Sequence, residues 1–133
     1  MKKGAQVVLA PLEVELPEIE APFAVLIDAD DTDWSEVELI RSLGKTLLDY
    51  GCRYFVCFGQ RSEILHDCLD DLLLDENYND VVTTFHNDET KEEALDFLIN
   101  CASLDMNGAL VVVRDTTEWE MLKGMRHGRL PGM

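Results

Sequence analysis

Asp28, Asp30, Asp31 and Asp33 place four carboxylates within six residues, directly after the apolar run Phe23-Ala-Val-Leu-Ile27. Acids this close repel one another unless water, a helix N-terminus or a cation compensates them. Asp28 and Asp30 are alternate residues at what reads as a strand end. With Asp88 and Asp115 they form a candidate set of oxygen ligands for Mg2+ or Mn2+, an ion that would activate water for phosphodiester hydrolysis. Arg61, His86 and Arg114 are the candidate contacts to a phosphate or other ligand, His86 also as a base. Simpler roles compete with these. Asp31 and Asp33 fit helix caps, Asp33 with Glu36 three residues on making a capping-box-like start. His86, beside Asn87 and Asp88, fits a hydrogen-bonded turn residue, and Ser62 fits a cap, since no G-x-S-x-G elbow surrounds it. Neither GxGxxG nor GxxxxGK[ST] occurs, and the first turn after a strand contains no glycine, which disfavours a dinucleotide cofactor. No cofactor is required by the sequence beyond a possible divalent metal.

Two short resemblances fall on this segment. Leu26-Ile-Asp-Ala-Asp30 resembles the opening strand of the NYN branch of PIN-like nucleases, which implies further acids at later strand ends, where Asp88 and Asp115 stand. Asp28-Ala-Asp-Asp-Thr32 is similar to the DxDxT pattern of haloacid-dehalogenase-type phosphatases. That pattern implies a flap after the nucleophile and a late paired-Asp motif; here a helix is predicted from Trp34 and the paired motif is absent. Response-regulator receivers also gather acids at strand ends, but no Lys closes the last strand here. No family assignment follows from one segment.

Charge points elsewhere. Eleven basic against 27 acidic residues give a formal charge of −16, which excludes unaided binding to nucleic acid or an anionic membrane and favours cations or basic protein surfaces. All the acids lie between Glu13 and Glu120, while Lys2, Lys3, Lys123, Arg126 and Arg129 sit in the tails. Glu63, Asp67, Asp70 and Asp71 on one predicted helix, and Glu92, Glu93 and Asp96 on another, form a candidate face for a basic partner, as in inhibitors or immunity partners of basic toxins and nucleases. The competing role is a solvated helix face. Because only Arg61 and Arg114 supply positive charge near the Asp cluster, the favoured expectation is a non-catalytic binding or regulatory protein. A divalent-metal phosphoesterase or nuclease using Asp28 and Asp30 is the alternative.

The elements that must position these residues follow from periodicity. Trp34, Val37, Ile40, Leu43, Leu47 and Leu48 recur at helical spacing until Gly51; Arg53 to Phe58 reads as a strand closed by Gly59; Ile64, Leu65, Cys68, Leu69, Leu72 and Leu73 stripe a second helix. Val81 to Phe85 is a third strand. Thr90 and Glu93 box a third helix whose apolar face is Ala94, Leu95, Phe97, Leu98 and Cys101, and Ala109 to Val113 is a fourth strand, followed by a last helix through Trp119. Such alternation predicts a single-domain, three-layer αβα sandwich with a mostly parallel open sheet of four βα units, Rossmann-like or flavodoxin-like, and an N-terminal edge strand as an optional addition. The expected division is 1–22 as an arm or edge strand, 23–127 as the α/β domain and 128–133 as a flexible tail. Cys52, Cys57, Cys68 and Cys101 lack zinc or CxxC spacing and read as reduced core residues, so a cytoplasmic location is expected. No stretch reaches the length of a membrane span.

Overall fold

The computed structural model describes residues 7–11, 18–30, 37–113, 117 and 119–122. Among the described residues five strands form one sheet: β1 (Val7–Pro11), β2 (Phe23–Asp28), β3 (Cys52–Phe58), β4 (Val82–His86) and β5 (Gly108–Val113). Their order is β1-β5-β2-β3-β4, and every neighbouring pair is parallel. The chain thus steps outward from β2 to β4, then returns across β2 to β5. The reversal between β2 and β5 is the topological switch point, the place where open α/β sheets leave a crevice at their carboxyl edge.

Alternation along the central strands builds two cores. Phe23, Val25 and Ile27 of β2 face helices α1 (Val37–Tyr50) and α2 (Ser62–Asp75), meeting Ile40, Leu47, Leu65 and Leu69. Ala24 and Leu26 face the opposite side, against Ala94, Leu95 and Leu98 of helix α3 (Lys91–Phe97) and the π turn Leu98–Ala102 that continues it. All six residues of β5 are buried, as expected of a strand covered on both faces. The architecture is therefore the three-layer αβα sandwich with a Rossmann-like parallel sheet.

Several details depart from the periodic pattern. Trp34, Asp31 and Asp33 lie outside the described residues, and Val37 is exposed. Gly51, at φ 109°, ends α1 as expected. Ser62 is not the cap of α2: Arg61 holds that position without a side-chain cap bond, and the Ser62 hydroxyl is buried with no hydrogen-bond partner among the described residues. The capping box of α3 is present in full, with Glu93 N donating to Thr90 Oγ1 and Thr90 N to Glu93 Oε1. Ile64 is exposed and Phe97 only partly buried, so both helical stripes are narrower than predicted.

The cysteines divide. Cys52 and Cys57 are fully buried, and burial pushes the Cys52 thiol up to about 12 and that of Cys57 well up from its ordinary value. Cys68 is half-buried and Cys101 exposed, so neither is the core residue expected from helical spacing. For Cys101 the cause is the π turn, whose Ser103 N–H reaches back five residues to Leu98 O at 3.0 Å. The wider turn shifts the helical phase and buries Ala102 and Ser103 instead.

Candidate functional site

Two acidic sites stand out among the described residues, one at the end of the central strand β2 and one along α3. The first is the end of β2, where Asp28 comes out of the sheet. Its Oδ1 accepts from Asp30 N at 3.1 Å and its Oδ2 from Trp119 Nε1 at 3.0 Å. Asp30 is exposed, yet its Oδ1 accepts from Gln60 N at 2.9 Å. The backbone between them joins the next strand: Ala29 N donates to Phe58 O at 2.6 Å and Arg61 N to Ala29 O at 3.1 Å. Asp30 thus clasps the β2 end to the β3–α2 turn, while Asp28 ties it to Trp119.

Trp119 is buried beside the carboxyl ends of β2 and β3. It is 1% exposed, packs edge-to-face on Phe58 at 5.6 Å between ring centroids, and carries Lys91 Nζ 5.9 Å from its own ring centre. Burial raises the Asp28 carboxyl above its ordinary 3.8, held back by the bonds from Trp119 and Asp30 N; the Asp30 charge adds to the rise and Lys91 opposes it. Folded chains then bind more protons than unfolded ones between 3.8 and the raised value, so this group's contribution to stability falls as pH rises through that window. Urea denaturation at a series of pH values should show wild type losing ground to Asp28→Asn with rising pH. A difference that is flat or rises would refute the buried, raised carboxyl.

Among the described residues no three of His, Cys, Asp and Glu gather as a metal-holding group, so Asp88, on the β4–α3 loop, does not join Asp28 and Asp30 in one. Arg114 and Asp115 lie outside the described residues. Arg61 is at the start of α2, its guanidinium without a hydrogen bond or ion pair among the described residues. His86 ends β4 with both ring nitrogens engaged, Nε2 with Thr84 Oγ1 at 2.9 Å and Nδ1 with Glu89 Oε2 at 3.0 Å, and its ring leans on Phe97. That arrangement is the hydrogen-bonded role rather than a base open to substrate.

The second site surrounds α3. Glu89, Glu92, Glu93 and Asp96 line a recess of about 470 Å3 together with Phe97 and Cys101. Among the described lining residues there is no Lys or Arg. Four carboxylates around an aromatic floor suit a cationic side chain, whose methylenes can lie on the ring while its head meets the acids. The acids of α2 stand on the other face of the sheet. Glu63, Asp67 and Asp71 are exposed there; Asp70 accepts from Thr83 Oγ1 at 2.6 Å, and His66 lies between Asp67 and Asp70. The two acidic helices are therefore not one surface but two flanks, with β4 between them.

Periodicity marked Glu92, Glu93 and Asp96 but missed the Phe97 floor and the opening made by the turned-out Cys101. Trp119 was visible only as a helical stripe residue, its one positional signal being that it falls just beyond β5. An all-parallel αβα sandwich with acidic groups at its edge defines the class of protein. Residues 6–125 match the domain of unknown function DUF7684, and the chain belongs to that family. No curated protein and no solved structure matches it.

Proposed function

We propose that this chain is a non-catalytic binding or regulatory protein that engages a basic protein partner, inhibitor-like in covering a cationic surface. The carboxylate recess around Phe97 carries this reading, since it gathers four acidic residues over an apolar floor for one Lys or Arg side chain, with Glu89, Glu93 and Asp96 also bonded to His86, Thr90 N and Asn100. A net charge of −16 supports it by steering a basic partner into encounter. Four unpaired thiols fit a reducing, cytoplasmic setting. The metal-dependent phosphoesterase alternative draws less support, because both oxygens of Asp28 and one of Asp30 already accept from N–H donors that a cation would have to displace.

Affinity capture from the native host, followed by titration with the recovered protein, tests the proposal. Wild type should bind a basic protein with affinity that falls as salt is raised. The triple variant E92Q/E93Q/D96N keeps the capping box, which Gln also serves, and should bind about ten- to a hundredfold more weakly. Unchanged, salt-independent binding by the variant would overturn the proposal.

A further inference from the structure

Among the described residues β4 ends the sheet, and it lacks the Pro, Lys or bulge that commonly protects an edge. Its register with β3 is unbroken, and Val82 and Phe85 are 46% and 40% exposed. His86 O accepts from Gly59 N at 3.2 Å, which turns the backbone polar groups of His86 toward β3. Alternation turns those of Val82 and Thr84 the same way and sends the N–H and C=O of Thr83 and Phe85 outward, where no backbone partner meets them among the described residues. On one side of this rim stand Asp67 and Asp70, the latter bonded to Thr83; on the other stand Glu89 and Glu93 of the recess, which His86 joins to β4.

We infer that β4 receives an extended segment of a basic partner as an added strand, with Lys or Arg side chains alternating between the α2 acids on one face and the α3 recess on the other. The inference rests on the proposed function and specifies how the partner is held. Charge selects the occupant. A second copy of this chain would bring the same carboxylate flanks against each other on both faces of the joint sheet, whereas a strand with cations on both faces meets opposite charge throughout. Backbone hydrogen bonds at Thr83 and Phe85 supply affinity without reference to sequence, and the flanks supply specificity.

The probe is a capped ten-residue peptide of Lys, Thr and Val with Lys on both alternating faces, titrated into the full chain. Phe85→Pro removes the outward N–H at an edge position that tolerates Pro, and Phe85→Ala removes the ring but keeps the N–H. Peptide affinity should fall about tenfold further in F85P than in F85A. Bound peptide should also slow amide exchange at Thr83 and Phe85 of the wild type, a readout that needs no variant to fold. Equal affinities for the two variants, or unchanged exchange at both amides, would overturn strand addition. If E92Q/E93Q/D96N still lost its partner in that case, the recess reading would stand alone. Absence of peptide binding by wild type, or a wild-type dimer abolished by F85P, would likewise overturn the inference, the latter in favour of self-pairing.

Discussion

Replacing Trp119 with Ala is expected to lower stability by about 3–5 kcal/mol, the usual cost of emptying a large aromatic site in a core. Among the described residues Trp119 is the largest fully buried side chain, and its loss removes the edge-to-face contact with Phe58 as well as the apolar burial. It also leaves Asp28 Oδ2 without its donor in a half-buried position. A domain stable by roughly 5–15 kcal/mol would lose a large share of its margin. Trp119→Phe separates the two effects. It keeps most of the packing, should cost about 1.5–3 kcal/mol through the missing indole N–H, and should raise the Asp28 carboxyl further, since that hydrogen bond now lowers it. Urea denaturation gives the stabilities and carboxyl carbon shifts follow the titration. A cost under about 1 kcal/mol for Trp119→Ala would show that this residue does not anchor the carboxyl ends of β2 and β3.

Gly59→Ala is expected to cost about 2–5 kcal/mol, from backbone strain and overpacking together. Gly59 has φ 109°, a conformation that L side chains rarely adopt. A Cβ there would stand 2.7 Å from Asp30 Oδ1, 2.8 Å from Asp30 N and 3.0 Å from Ala29 C. Two of those atoms are backbone and cannot swing aside, so relief requires moving the whole 29–30 segment and breaking the Gln60 N to Asp30 Oδ1 bond. Faster exchange at the Gln60 amide should accompany the loss of stability. Gly44, where α1 meets α2, makes a useful contrast. Its added Cβ would lie 2.8 Å from the methyl ends of Leu69 and Leu72, which can rotate, so Gly44→Ala should cost less than Gly59→Ala. The reverse order would refute the strain assigned to the β3–α2 turn.

The fold was largely legible because strand and helix periods are local properties. Val25-Leu-Ile27 and Leu110-Val-Val-Val113 announce themselves as strands buried on both faces, and Thr90 with Glu93 announces a helix start. Strand order was not legible, since nothing local to β5 says that it passes β3 and β4 to lie beside β2. The same limit governed the sites. Asp28 could be recognised at a strand end, but its indole donor lies 91 residues away and joins it only through that crossover. Ser62 looked like a cap because caps are assigned by residue type, whereas here the first turn of α2 directs it into the interior. Cys101 was misplaced by assuming 3.6 residues per turn through a segment that changes to a π turn.

The strand order also bears on the birth of the protein. β2 needs β5 on one side, and among the described residues β1 pairs with β5 alone, so a chain made from its N-terminus cannot complete its sheet in the order of synthesis. At roughly 5–20 residues per second, β1 waits several seconds for a mate, and β2 keeps one hydrophobic edge open for nearly as long. Emergence of Gly108–Val113 from the ribosome is thus the moment at which the fold becomes possible.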